Sequence, residues 1–389
     1  MDNFIYHAPT RIVFGRNTVS QTGAELAAHN VRRTLLVTGG SAAMRTGAYA
    51  QVTASLDGAG VMHTLFSGVT PNPSLDLVEK GIAAAHAFAA DSVLAIGGGS
   101  VIDCAKAIAA GVFLEDYWAQ VETRRPVTQA LPVFTVLTLS GTGSEMNEKA
   151  VITNEPLARK WSLSGLCLCP RVSIIDPQLQ SSVPWHLTAA GGIDAMTHVM
   201  ENYFRGRTAR AATGYFQEET TLQLCEGILR AIIMSLDELQ RDGSDYTARA
   251  NLAWAASWGL NGLSGSGLSG GDWTSHALEH ALSGLHPQVP HGEGLAVIFP
   301  SWMEQVCHSV PDIFTRFART IWGVSTAEEG VAATRQAFSR WGAPDRLSRW
   351  NIPASDIPRM VQNALSYRAL GRIVPLSAED VTSIYTRVL

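Results

Sequence analysis

Charge is scarce in this chain. Only 16% of its 389 residues are Asp, Glu, Lys or Arg, against about a quarter in an ordinary soluble domain. The formal net charge is -5, and no Lys/Arg stripe runs along any segment, so the electrostatic footprint of a nucleic-acid partner is missing. Cysteine is sparse too. The five cysteines, at 104, 167, 169, 225 and 307, are odd in number and scattered, which excludes a disulfide framework. Cys167-Leu-Cys169 is not a zinc-ribbon spacing, and free thiols in a reducing cytoplasm fit this usage. Long hydrophobic runs are absent: Ala107 to Leu114 falls far short of the roughly 20 residues a membrane-spanning helix needs. The N-terminus lacks a basic segment followed by an apolar one, so no secretory signal is read there. No internal repeat, low-complexity linker or Gly-x-Gly-x-x-Gly fingerprint in the first βα turn is present. Apolar residues, by contrast, are plentiful. A hydrophobic fraction of 46% is ample for a core and excludes disorder or a coiled coil as whole-chain readings. At roughly 150 residues per domain, the length suggests about two domains.

The pattern changes character near the middle. Up to about residue 180, short β-rich runs alternate with helical periodicity. Arg33 to Thr38, Val61 to Phe66, Ser92 to Ile96, Pro132 to Leu137 and Val172 to Ile175 read as strands. Ser74 to Phe88, with Leu75, Val78, Ile82, Ala85 and Phe88 on one face, and Ser100 to Ala110 read as helices. Strand, glycine turn and helix in repetition imply a parallel sheet covered on both faces. After Pro184 the strand signal fades, and Thr188 to Tyr203, Thr213 to Leu239, Tyr246 to Leu263 and Asp272 to Leu285 read as helices. The expected organisation is an α/β domain over residues 1–183 and an all-helical domain over 184–389.

Three polar, glycine-containing turns end strands of the first half: Gly39-Gly40-Ser41, Gly97-Gly98-Gly99-Ser100 and Ser140-Gly-Thr142-Gly-Ser144. A helix that starts at such a turn offers free N–H groups and the positive end of its dipole to a phosphate. Asp103 stands in the first turn of the helix after Gly99, able to orient the loop or accept a hydroxyl. One such turn is often no more than a tight βα connection; three at strand C-termini point to one ligand crevice.

In the second half, Asp194 and His198 are four apart, and so are His276 and His280. On a helix each pair shares a face. His291 follows in Val289-Pro-His291-Gly-Glu-Gly, expected as a loop. The same spacing suits a hydrogen-bonded surface pair, and His280 or His286 suits a core or rim position. Taken jointly, one carboxylate and up to three imidazoles suit a divalent first-row metal, Fe²⁺ or Zn²⁺, better than Mg²⁺ or Ca²⁺. Met196 and Met200 are read as core.

Together these stretches resemble the iron-dependent (group III) alcohol dehydrogenases, within them the NADPH-dependent butanol dehydrogenase and aldehyde reductase branch. The similarity runs nearly end to end. It is carried by Gly97-Gly-Gly-Ser-Val-Ile-Asp-Cys-Ala-Lys106, Thr138-Leu-Ser-Gly-Thr-Gly-Ser-Glu145, Gly191-Gly-Ile-Asp-Ala-Met-Thr-His198, Tyr246 to Trp254, Asn261-Gly-Leu263, His276 with His280, and Pro290-His-Gly292. The resemblance implies an α/β N-terminal nucleotide-binding domain with a parallel sheet and an all-α C-terminal metal-binding domain, of dehydroquinate synthase-like architecture. It implies Asp194, His198, His276 and His291 as the metal ligands, with His280 beside nicotinamide and substrate. It implies Gly98, Gly99, Ser100 and Asp103 around the pyrophosphate, Thr138, Thr142 and Ser144 along the cofactor cleft, and Asn72 and Lys160 as further cofactor contacts. It also implies a homodimer paired through Phe4 to Phe14. His280 and His291 are 11 apart where some members have ten, which leaves the loop around His286 open.

The expected activity is hydride transfer between NADP(H) and short- to medium-chain alcohols or aldehydes, with the metal polarising the carbonyl. Trp254, Trp258 and Trp273 suggest an apolar pocket. A sugar-phosphate cyclase would need Lys and Arg for an anionic substrate, and residues 250–295 contain neither. A metal hydrolase would leave the glycine turns without purpose. Preference for NADP(H) over NAD(H) is read from the end of the strand Leu35 to Thr38. An enzyme selecting NAD usually has an acid there; here Gly39, Gly40 and Ser41 follow, and no carboxylate comes before Asp57. The direction of Arg45 is left open.

Overall fold

The computed structural model describes residues 1–207, 209–210, 213–367 and 369–389. They form two compact units: Ala8–Val183 with Asp242–Ser257, and Met1–His7 with Pro184–Arg241 and Trp258–Leu389. One junction lies between Val183 and Pro184; Met1–His7 and Asp242–Ser257 are exchanged relative to a simple split of the chain there.

The first unit is built on a parallel sheet of six strands: β1 (Arg11–Phe14), β2 (Arg33–Thr38), β3 (Met62–Phe66), β4 (Ser92–Gly97), β5 (Val133–Leu137) and β8 (Val172–Ile175), in the order β1-β8-β5-β4-β2-β3. Every residue of β4 and β5 is buried, as the central strands of a two-faced parallel sheet must be; hence their continuous apolar runs. The helices are α1 (Thr22–Ala28), α2 (Ala42–Arg45), α3 (Ala48–Gly58), α4 (Leu75–Phe88), α5 (Gly99–Gly111) and α6 (Tyr117–Thr123). Ser74 caps α4 by accepting from the Leu77 N–H. Sequence reading missed an antiparallel hairpin, β6 (Lys149–Asn154) with β7 (Arg159–Ser164). Cys167 and Cys169 flank the end of a single 3₁₀ turn, Leu166–Leu168.

The second unit is helical: α7 (Trp185–Tyr203), α8 (Glu219–Arg241), α10 (Thr274–Leu285), α11 (His291–Val306), α12 (Pro311–Phe317), α13 (Ala327–Arg340), α14 (Ile357–Tyr367) and α15 (Ala378–Thr386). The helix α9 (Tyr246–Gly259) lies mostly in the first unit. Three expected boundaries move, each with a left-handed residue in the expected span. The helix expected from Thr213 starts at Glu219, after Gly214 at φ 64. The one expected to reach Leu263 stops at Gly259, ahead of Gly262 at φ 91. The one expected from Asp272 starts at Thr274, because Trp273 has φ 63. His291 is not in a loop: it is the first residue of α11, and the Gly294 N–H closes the first turn on the Pro290 carbonyl at 2.9 Å. Among the described residues no helix is long and apolar enough to cross a membrane.

Candidate functional site

The sheet order gathers the three glycine turns. The strands β2, β4 and β5 are neighbours, so Gly39-Gly40-Ser41, Gly98-Gly99-Ser100 and Thr138 to Ser144 stand side by side at their C-terminal ends. The chain runs outward from β2 to β3 and returns to β4 on the other side of β2. That is a topological switch point, where open α/β sheets bind ligands. Gly98 is the N-cap of α5 and brings no side chain to it. Gly99 faces Thr142 so closely that a Cβ there would lie 2.3 Å from its Oγ1; only glycine lets the two turns approach. Next to Gly40 there is open space. Ser41 accepts a hydrogen bond from the Arg45 guanidinium, which answers where Arg45 points.

Asn72 sits at φ 54, buried, in the turn before α4. The Thr153 N–H donates to the Pro73 carbonyl at 2.9 Å, and Thr153 is the register partner of Lys160. The overlooked hairpin therefore ties the Asn72 turn to the strand pair that carries the buried Lys160. Asp103 is occupied within the fold. It accepts from Ser144 Oγ at 2.6 Å and from the Val151 N–H at 3.1 Å. Burial pushes its carboxyl up, against the opposing charge of Lys106. Lys106 is fully buried and donates to the carbonyls of Ser144, Asn147 and Lys149 at 2.6, 2.8 and 3.0 Å. Burial brings its ammonium down to about 8. Asp103 and Lys106, one turn apart on α5, thus clamp the segment from Ser144 to Val151.

The second constellation lies within the helical unit. Asp194 and His198 are on α7, His276 on α10, and His291 begins α11. The three Nε2 atoms of His198, His276 and His291 lie 3.5, 3.9 and 3.6 Å from Asp194 Oδ1. Two ligands each about 2.1 Å from a tetrahedral metal are about 3.4 Å apart, so this spacing suits one ion. Two atoms favour it: Asp194 Oδ1 and His276 Nε2 are buried with no hydrogen-bond partner among the described residues, an expensive state unless something else satisfies them. Burial pushes the Asp194 carboxyl up, yet the imidazoles of His198, His291 and His276 outweigh it and hold it well below the usual carboxylate range. Gly292 explains the Pro-His-Gly sequence. A Cβ there would lie 2.1 Å from the Ala190 carbonyl oxygen, so glycine lets α11 reach α7 one turn before Asp194.

Two carboxylates that sequence reading overlooked orient this set. Glu201, fully buried on α7, accepts from His276 Nδ1 at 3.2 Å, Ser275 Oγ at 2.5 Å and the Trp273 N–H at 2.6 Å. Glu279, fully buried on α10, hydrogen-bonds His291 Nδ1. Each fixes the outer nitrogen of an imidazole and turns Nε2 toward Asp194, the arrangement that supports metal-bound histidines. The signal was present: Asp194, His198 and Glu201 fall at i, i+4 and i+7 on one helix. Burial opposes protonation of His276, but Asp194 and Glu201 together raise its pKa. The His280 ring stands 5.3 Å from that of His291 and is not among the three that face Asp194. Of the three tryptophans, Trp273 meets the cluster, 5.3 Å from His276 and 6.0 Å from His198 between ring centroids. Trp254 packs on Phe14 in the first unit.

Residues 9–177 match the iron-containing alcohol dehydrogenase family and residues 188–389 its C-terminal family. The chain belongs to the iron-containing alcohol dehydrogenases. It is 36% identical to NADH-dependent butanol dehydrogenase A of Clostridium acetobutylicum, with 100% of each chain covered. It is 30% identical to an NADPH-dependent aldehyde reductase of Escherichia coli, over 93% of this chain and 92% of that one. The crystal structure of NADH-dependent butanol dehydrogenase A from Thermotoga maritima superposes with a TM-score of 0.94 at 39% identity, covering 100% of this chain and 99% of that one. This iron-containing alcohol dehydrogenase is therefore an oxidoreductase of the nicotinamide-dependent class, with the dehydroquinate synthase-like fold.

Proposed function

We propose that this iron-containing alcohol dehydrogenase interconverts uncharged short- to medium-chain aldehydes and alcohols, with NADP(H) preferred over NAD(H). The observation that carries the activity is the convergence of three Nε2 atoms on Asp194 Oδ1, two of the four atoms being buried without another partner. Asp194, His198, His276 and His291 would hold one divalent ion, Fe²⁺ or Zn²⁺. When bound, that ion supplies the Lewis acidity that polarises a carbonyl oxygen. The chain's own groups do the rest. Gly98, Gly99 and Ser100 present the start of α5 to the pyrophosphate. Thr138, Thr142 and Ser144 line the dinucleotide, with Asn72 and Lys160 at its edge and Asp103 keeping Ser144 in place. The His280 imidazole, outside the ligand set, holds or relays the proton exchanged with the substrate oxygen. The first unit is thus the dinucleotide-binding domain and the helical unit the metal and substrate domain.

Support for NADP(H) lies at the end of β2. Gly39, Gly40 and Ser41 carry no acid that would repel a 2′-phosphate, and Arg45 is drawn onto Ser41, where a guanidinium suits phosphate. A second reading, NADH, is favoured by the similarity to the NADH-dependent butanol dehydrogenases of Clostridium acetobutylicum and Thermotoga maritima. Measuring kcat/KM for NADPH and NADH with butanal, on anaerobically purified protein of known metal content, tests both: the proposal requires the higher value with NADPH. A homodimer is part of the same proposal. The strand β1 is a sheet edge, and Phe4, Ile5, Tyr6 and Phe14 are 51%, 96%, 43% and 38% exposed, an apolar run that a second copy would cover. Light scattering of the purified protein tests it. The five free thiols support a cytoplasmic setting.

A further inference from the structure

Trp273 is held against local preference on two counts. Its backbone is left-handed, φ 63 and ψ 16, the region where glycine is cheap and a bulky side chain is an outlier. It is also the N-cap of α10, where its side chain makes no capping hydrogen bond and where Ser, Thr, Asp, Asn or Gly would be preferred. Much of the surrounding turn fixes it there. Its N–H donates to Glu201 Oε2 at 2.6 Å. The Asp272 N–H donates to the Glu201 carbonyl at 3.0 Å, and Asp272 itself accepts from the N–H groups of Thr274 and Ile373 at 3.2 and 2.6 Å. Gly271 makes room for the ring, since a Cβ there would lie 2.7 Å from the indole Nε1. A residue that breaks local rules and is over-determined by its surroundings points to use rather than accident.

The use is indicated by where the indole lies. It meets the His276 ring edge-on at 5.3 Å and 69°, and leans over His198 at 6.0 Å and 51°. Those two imidazoles are stacked on one another at 4.7 Å and are buried. Trp273 is only half-buried. One part of the indole therefore packs on the ligand rings, and the rest presents an apolar surface directly beside them.

We propose that the Trp273 indole is the aromatic wall of the substrate pocket and sets its preference for an uncharged, unbranched aliphatic chain. The inference rests on the alcohol dehydrogenase reading above. A wall of this kind takes up the alkyl chain of an aldehyde or alcohol whose oxygen is directed at the ligand cluster. The left-handed turn is what brings a tryptophan to this position, and a glycine would adopt the same backbone while leaving the space empty.

The test compares wild type with W273G and W273F as full-length, metal-loaded protein. Metal content is read by elemental analysis, and kcat/KM is measured for straight-chain aldehydes from ethanal to hexanal. In wild type kcat/KM should rise about two- to fourfold per added CH₂ over the shorter members. W273G should retain stoichiometric metal and lose at least half of that slope on a logarithmic scale, and W273F should recover most of it. An unchanged slope in W273G with metal bound overturns the proposal. Loss of metal from W273F as well as W273G also overturns it, by making the indole a support for the ligand rings instead. If W273G does not fold, W273L takes its place. A second arm needs no turnover. The emission difference between cobalt-loaded wild type and W273F should change saturably with 1-hexanol, and no saturable change overturns the wall. Saturable binding in a protein that reduces no aldehyde would instead defeat the alcohol dehydrogenase reading and leave the pocket standing.

Discussion

Glu201 makes the sharpest demand on the proposed metal site without being one of its proposed ligands. Glu201→Gln keeps the shape of the side chain and removes its charge. In the native arrangement Oε1 accepts from Ser275 Oγ and His276 Nδ1, and Oε2 accepts from the Trp273 N–H. A glutamine has one oxygen for these two sides. If that oxygen faces Ser275 and His276, the amide NH₂ meets the Trp273 N–H, donor against donor. Flipped, it meets the serine hydroxyl and the imidazole instead. The position is fully buried, so no water relieves the mismatch, and an unsatisfied buried donor costs about 1–3 kcal/mol. His276 also loses the anion that fixes its tautomer and raises its basicity. Loss of such an outer partner lowers metal affinity about 10- to 100-fold, about 1.4–2.7 kcal/mol. Competition against a chelator of graded concentration, with metal read by elemental analysis, gives the dissociation constant. Ser275→Ala is the control, because it removes one donor and leaves the carboxylate on His276; its effect should fall well below that of E201Q. An E201Q dissociation constant equal to that of wild type would refute the idea that Glu201 aims the imidazole.

Four further outcomes are expected. His276→Ala deletes one of the three imidazoles that face Asp194 Oδ1, and both bound metal and turnover should collapse while the first unit keeps its circular dichroism; full metal retention would make the ligand assignment wrong. His280→Ala should lower turnover and change the pH profile of kcat while leaving metal content stoichiometric, and metal loss would move His280 into the ligand set. Gly39→Asp is a tight fit, since a Cβ there lies 3.3 Å from the Val69 carbonyl oxygen and that backbone must give by a few tenths of an ångström, and a carboxylate near the 2′-phosphate costs about 1–4 kcal/mol; kcat/KM for NADPH should fall at least about fivefold, and NADH should fall much less. Glu145, buried, has its carboxyl raised by burial, with the Ser257 hydroxyl donating to it at 2.5 Å as the main opposing influence. A raised carboxyl loses stability as pH rises from its unfolded value, near 4.5, through its folded value. Glu145→Gln keeps the acceptor for Ser257 and escapes that loss, so its Tm relative to wild type should climb over this acid range and then level off; a gain confined to lower pH would contradict the burial argument.

How far the fold is legible depends on which element is considered. The buried strands β4 and β5 announce themselves because a two-faced parallel sheet demands continuous apolar runs. The hairpin of β6 and β7 does not. Its strands, Lys149 to Asn154 and Arg159 to Ser164, mix charged, hydroxyl and apolar residues, and they fall between two strands of the main sheet, outside the strand–turn–helix rhythm. What stabilises it is nonlocal: the Asp103 carboxylate on the Val151 N–H and the Lys106 ammonium on the Lys149 carbonyl. Nothing in the spacing of Asp103 and Lys106 says that both are spent on one distant segment. The moved helix boundaries have a similar cause. Gly214 and Gly262 could have been read as breaks, but Trp273 in the left-handed region follows from no propensity, and only the hydrogen bonds of its turn account for it.

The residues of the proposed metal site divide along the same line. Asp194 and His198 share a helix face by spacing alone, so their pairing needs no tertiary knowledge. His276 joins them only because α10 packs beside α7, and His291 only because Gly292 lets α11 reach the Ala190 carbonyl. Spacing also places His276 and His280 together, yet only His276 turns its Nε2 to Asp194. Glu201, two turns after Asp194 on the same helix, binds Nδ1 of His276 and holds it in that orientation. The residue that orients His276 is thus a carboxylate seven positions after Asp194, on the face that periodicity already assigns to the site. In a helical metal centre the i+7 carboxylate merits the same scrutiny as the i+4 imidazole, because a buried carboxylate on that face has few partners available except the outer nitrogen of a ligand or the N–H groups of an adjoining helix start, and here Glu201 takes both.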